Sequence, residues 1–459
     1  MNNYRKKTVN IAATGILLLL LTGVLSYELR VSFTAEAGEL ACIDYDEGEN
    51  TITINCNASF LDVAQTIDDS EIVESLGNGE EYVLNATLQV ADGITFSMTS
   101  TGDGLQYLKL AGENGIIVYG KILIDGVKIT SWDIEDEDVI QQDRNGTISR
   151  GFVQFAASEG AQILNSDFGY LGYAEPGQRG FDLFGEGPSH DMEIRGSKFH
   201  DMWFAFYSRE AYNITIDGNE YYNNIKYAID PHTITHDMNI TNNWVHHNPL
   251  GIICSDRCYN ILIEGNRVEH NLNYGIYFSR NMYDSIARNN YVYNSTIGIT
   301  VSESPNNQIY NNTFEGATSQ AIRLFIPPLP PYDGFTENNL VYNNSIIDSE
   351  NGIAALRSHD NILENNTFSN IQSSEYYLSG NSSIIIRGQH FDNALISLEK
   401  NSTIDSQVEV LNSGIIEVTE GEIQEEEEEF EGNPYNTDIE PYSRTLSGGY
   451  NITVSSNIG

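Results

Sequence analysis

Asparagine returns at Asn219, Asn243, Asn266, Asn290 and Asn312, a step of 22–24 residues. A fixed period of that length marks a solenoid. Each repeat is one unit that cannot bury its apolar face until a neighbour stacks on it. The segments around these positions align: "NITIDGNEYYNNIKYAI" at Asn213, "MNITNNWVHHNPLGII" at Met238, "NILIEGNRVEHNLNYGIYF" at Asn260 and "DSIARNNYVYNSTIGITV" at Asp284. Each has a short alternating strand, the Asn, a second strand-like stretch, a turn, then a small residue followed by Ile. The strands are β-branched and the turns are rich in Asn, Gly and Ser. Helical leucine-rich spacing is missing. The pattern predicts an all-β chain folded as a parallel β-helix, one coil per repeat. Its Asn residues form a ladder that hydrogen-bonds the coils above and below.

The period breaks once. After Asn312 the next matches are Asn344 and Asn366, and the long step holds "FIPPLPPYDGF". Proline cannot donate to a β-ladder, so this is a loop insertion, and loops on a solenoid mark its working face. "VLNATLQVADGITFSM" and "IIVYGKILIDGVKITSW" read as earlier, less regular coils. The predicted order is a small cap over 41–79 with "SFLDVAQTID" as its helix, coils over 80–417, and an acidic linker and tail over 418–459. The run "IQEEEEEFEGN" ends the core, because like charges in sequence stay solvated.

The net charge of −42, from 65 acidic and 23 basic residues, excludes nucleic acid as a partner. It fits the solvated surface of an extracellular protein. Residues 1–30 read as a signal anchor or cleaved signal peptide. Arg5, Lys6 and Lys7 precede an uncharged run over 8–27, long enough to span a bilayer. Any membrane contact is through this segment only. About a dozen N-x-[ST] sequons, among them Asn57, Asn145, Asn213, Asn294 and Asn451, suit a glycosylated exterior. The four cysteines read as two disulfides, Cys42–Cys56 and Cys254–Cys258, since each is the other's nearest partner. No zinc-like spacing is present.

Stacking the coils on their small residues puts Ala205, Ala228, Gly251 and Gly275 in one column. Ile229, Ile252 and Ile276 then point inward. Strand alternation sends Tyr207, Asp230, Ile253 and Tyr277 outward, followed by Arg209, His232, Ser255 and Ser279. Asp230 and His232 are thus expected on a solvent-facing surface with Arg209 and two tyrosines, flanked by Lys226, Tyr227, Arg257 and Arg280. Acid, base, phenol and guanidinium on one face suit an extended sugar chain.

These residues carry a resemblance. "FAFYSREAYNITIDGNEYYNNIKYAIDPH" resembles the core of the mannuronan C5-epimerases, exported right-handed β-helix enzymes acting on alginate. Their signature is Y-G-[IF]-D-P-H followed by an acidic residue. Here Tyr227, Asp230, Pro231 and His232 are in register, Ala228 replaces the Gly, and Thr233 replaces the acid. The likeness runs from about Gly126 to Asn370 and includes "NSDFGYLGYAEPGQRGFDLF", "GIICSDRC" and "YGIYFSR". It implies proton removal at C5 of mannuronate and return to the opposite face. His232 and Tyr227 take the base and acid roles, and Asp230 orients His232 or holds the cation. That family neutralises the substrate carboxylate with an Arg near a neighbouring turn, but the next turn here reads "HHNPLG". Arg257, grouped with the catalytic residues, and Arg209, Arg280 and Lys226, grouped with Tyr207 and Tyr277 in substrate binding, are the alternatives. No cofactor and no metal ligands are implied, with Ca²⁺ the one ion left open. A polysaccharide lyase shares the first half of this chemistry. A glycan-binding β-helix without turnover is the other reading.

Overall fold

A computed structural model describes residues 41–77, 79–327, 334–387, 396–398 and 402–406. Each coil lays one strand on each of three sheets. The coil after Trp203 does so with Phe204–Arg209, Tyr212–Asp217 and Glu220–Tyr222, and the next with Tyr227–His232, His236–Thr241 and Trp244–His246. Among the described residues the three sheets hold 15, 14 and 13 strands. Pairing between coils is parallel throughout. Two antiparallel hairpins, Ile43–Asp46 with Thr51–Ile54 and Val73–Leu76 with Glu81–Leu84, begin the stack. The expected helix is Phe60–Ile67. Ser59 and Asp62 cap it reciprocally, and Phe60 and Val63 join the core.

The asparagine ladder forms as expected. Asn266 Oδ1 accepts from the Asn243 N–H at 2.9 Å and from Asn243 Nδ2 at 3.0 Å. Its own Nδ2 donates to Ile240 O at 2.8 Å and Asn290 Oδ1 at 3.0 Å. Donors and acceptors are thus matched in a buried corner where an orphan amide would be costly. The residue before each ladder Asn has positive φ, as at Gly218, Asn242, Gly265 and Asn289, which explains the Gly-Asn and Asn-Asn pairs. Two further ladders, at the other two corners, were not foreseen: Asn224–Asn248–Asn271 and Asn307–Asn339–Asn361. Across the long step Asn312 bonds Asn344 at 3.0 Å, so the Pro-rich insertion leaves the ladder unbroken. Residues 328–333 of that insertion, the routing segment over 1–30 and the tail after 406 lie outside the described residues. Among the described residues no helix is long and apolar enough to cross a membrane.

One disulfide expectation holds and one fails. Cys42 and Cys56 are bridged, with Cα atoms 5.1 Å apart. Cys254 and Cys258 are both free and buried. Cys254 occupies an inward strand position beside Phe278. Cys258 enters the core after the turn and donates its Sγ–H to Ser255 O at 3.1 Å. Nearness in sequence does not aim the two sulfurs at each other.

Asn266→Ala removes four hydrogen bonds from a buried ladder and is expected to cost on the order of 3 kcal/mol in chemical denaturation. Exposed Asn239→Ala serves as the neutral control. Thiol alkylation with peptide mapping should label neither Cys254 nor Cys258 in the native protein and both after unfolding. A native disulfide between them would contradict the packing.

Candidate active site

The predicted stacking is reproduced residue for residue on the 15-stranded sheet. Tyr207 pairs in register with Asp230, Arg209 with His232, His232 with Ser255, and Ile253 with Tyr277. Its exposure is not. Asp230 is only 3% exposed, and Tyr207, Tyr227 and Tyr277 are buried as well. Alternation says which side of the backbone a residue leaves, not whether water reaches it. Here the outward side carries its own apolar cluster, with Trp203, Phe204, Tyr207, Tyr227, Leu250, Ile253, Tyr274, Tyr277 and Ile297 packed together. The polar residues are set into it.

A small pocket opens in this cluster. Tyr227, Asp230, His232, Leu250, Ile253, Ser255, Tyr277, Ser279 and Arg280 line it. Six of the nine predicted site residues therefore touch or flank one another: Tyr227, Asp230, His232, Arg280, Tyr277 and, through its ring 5.6 Å from that of His232, Tyr207. The other three stand around the rim. Arg209 pairs with Glu210 at 3.3 Å and lies over Phe184, and Lys226 lies over the Trp203 ring at 5.4 Å. Arg257 is half-exposed and donates to Asp256 at 2.9 Å.

Two residues were missed. Asp182 continues the outward column one coil below Tyr207 and is fully buried. Arg179 donates to it at 3.3 Å and stacks on Tyr207 with its guanidinium 4.2 Å from the ring centre. Extending the column by one repeat from Tyr207 would have found Asp182. Arg179 sits in a connecting loop, where the repeat period carries no information.

Burial shifts the ionisable groups in opposite directions. It raises Asp230 to about 8, although Arg179, Arg280 and Lys226 pull the other way. Its Oδ1 is buried without a hydrogen-bond partner among the described residues. His232 is lowered to about 4, first by burial and then by Arg280. Asp182 is raised to about 6 by burial against the pull of Arg179. Burial also raises the Tyr207 and Tyr277 phenols, so both remain protonated. At neutral pH the pocket thus holds an uncharged imidazole and an uncharged carboxylic acid among arginines. His232 Nδ1 bonds Thr233 Oγ1 at 2.7 Å. Among the described residues no three His, Cys, Asp or Glu side chains converge as a metal set.

A family description reading "Right handed beta helix region" matches residues 179–325. The Mannuronan C5-epimerase of Pseudomonas aeruginosa is 26% identical over 176 residues, covering 36% of this chain and 32% of its own length. That of Pseudomonas syringae pv. tomato is 29% identical over 150 residues, covering 30% and 28%. The chain spans about a third of the length of these curated relatives. The crystal structure of the periplasmic alginate epimerase AlgG superposes with a TM-score of 0.57 at 20% identity, over 80% of this chain and 84% of that one. The likeness to mannuronan C5-epimerases in sequence and to right-handed β-helices in fold is therefore shown.

Removing the buried acid should relieve a pH-dependent cost. Folded Asp230 is raised above its unfolded value, so wild type loses stability relative to Asp230→Asn as pH rises from about 4 to about 8. Melting temperatures of the two proteins across that range should diverge and then run parallel. A constant gap would contradict the burial of an uncharged acid.

Proposed function

We propose that this chain is an exported polyuronate epimerase that inverts C5 of mannuronate-type residues in an alginate-like polysaccharide. The observation that carries the reading is the pairing, in one pocket, of a histidine kept neutral with an aspartic acid kept protonated. The C5 proton is a weak acid while the adjacent carboxylate keeps its charge. Stabilising the enolate-like species therefore decides the rate. Arg280 in the pocket wall supplies the cation, with Arg257 at the rim as the second. Uncharged Asp230 donates a hydrogen bond to the carboxylate, as a buried acid can when its pKa is raised. Neutral His232 takes the proton from one face. The Tyr227 phenol returns one to the other. Arg179, Arg209 and Lys226 gather positive charge around the pocket of a chain whose net charge is −42, so a polyanion meets a local attraction. The Cys42–Cys56 disulfide supports an oxidising, exported setting.

The test is NMR of polymannuronate and other polyuronates after incubation. New C5-inverted residues are expected, while unsaturated chain ends would mean a lyase and unchanged polymer a binding protein. His232→Ala should lower the rate on the order of 10²–10⁴-fold. For wild type, kcat/KM should fall below about 4 as His232 protonates and above about 8 as Asp230 ionises.

A further inference from the structure

Three successive coils leave the site strand through the same turn, with two left-handed residues each: Thr233–Ile234, Asp256–Arg257 and Arg280–Asn281. In the first of these both residues are β-branched, at φ 33° and 59°, a backbone state such residues rarely adopt and one that collects at functional sites. The turns stack: Thr233 N–H donates to Ser255 O at 3.0 Å and Ile234 N–H to Asp256 O at 2.9 Å. The Thr233 hydroxyl oxygen lies 2.7 Å from His232 Nδ1. Arg257 holds Asp256 through Nε at 2.9 Å and Nη2 at 3.3 Å.

Nδ1 is taken up by Thr233, so Nε2 is the ring nitrogen left to act as the base. A neutral imidazole carries one proton, and Nε2 accepts only when that proton sits on Nδ1. The Thr233 hydroxyl oxygen then accepts Nδ1–H.

We propose that Thr233 is a positioning residue: held in the stacked left-handed turn, its hydroxyl fixes the imidazole tautomer in which Nδ1 carries the proton and Nε2 accepts one. The inference rests on His232 being the base. It explains how Thr233 works where the related signature has an acid. The hydroxyl orients the ring without placing a formal charge directly on Nδ1. The charged groups facing His232 are Arg280, Arg179 and Arg209, which disfavour its protonation, and Asp256, which favours it. The Tyr207 ring packs beside it.

The experiment is long-range ¹⁵N–¹H NMR of histidine-labelled protein, with His232 identified by its loss in His232→Ala, alongside steady-state kinetics on polymannuronate. In wild type and Thr233→Ser, His232 should be the Nδ1–H form. In Thr233→Val that preference should disappear, and kcat should fall on the order of tenfold or more with KM unchanged. Thr233→Asp should shift the acid limb of the pH profile upward, because a carboxylate then faces Nδ1. A Thr233→Val protein that keeps both the tautomer and the wild-type kcat overturns the proposal. So does a mixed tautomer in wild type. If wild type turns over no polyuronate, the epimerase reading fails, yet the tautomers of the Val and Ser variants still decide the role of Thr233.

Discussion

The amide-to-amide hydrogen bond at the coil corners is the interaction on which the rest depends. A stack of short strands can bury its apolar side only if the turns between strands leave no polar group orphaned. Asparagine meets that need because its side chain has one donor for the coil below, one for the coil above and an oxygen for two incoming N–H groups. The ladder also fixes the register between coils. That register sets Tyr207 against Asp230 and Arg209 against His232, so the site inherits its geometry from corners on the far side of the core. The ladder constrains only the corner, not the length of chain between corners. A coil of 32 residues therefore fits between Asn312 and Asn344 where its neighbours use 22–24.

The site departs from a sugar-binding surface of exposed charges. Its aromatic cluster excludes water from the outward face of the sheet, and that exclusion sets the chemistry. Carboxylic acids in it rise and imidazoles fall, so Asp230 and His232 are both uncharged near neutral pH. A guanidinium's field is stronger in such a setting than in water, the condition under which it best stabilises developing negative charge. The Asp182–Arg179 pair fits this division. Asp182 holds Arg179 in place against Tyr207, one coil from Asp230.

The repeated left-handed turn divides the work between two arginines that look equivalent in sequence. Arg257 and Arg280 occupy successive copies of the same turn, and Arg257 N–H bonds Arg280 O at 2.8 Å. Arg280 lines the pocket, whereas Arg257 is drawn to Asp256. The acid beside Arg257 makes the difference. In the next coil the preceding residue is Ser279, and Arg280 lines the pocket.

The sequence by itself determined the fold class, the coil period, the ladder through Asn219 and its successors, the helix beginning at Phe60 and the columns on the site face. Each rests on local periodicity: strand alternation at two residues, coil return at 22–24, and turn residues that tolerate positive φ. It placed Tyr227, Asp230, His232 and Arg280 together because all four follow from one register. Tertiary structure decided what periodicity does not encode. The burial of Asp230 depends on aromatic side chains from several coils closing over it. The free state of Cys254 and Cys258 depends on the direction of two side chains around a turn. Arg179 comes from a loop whose length follows no repeat. The partner of His232 was chosen the same way, since a left-handed turn turns the Thr233 hydroxyl toward Nδ1 and that geometry exists only once the coils are stacked.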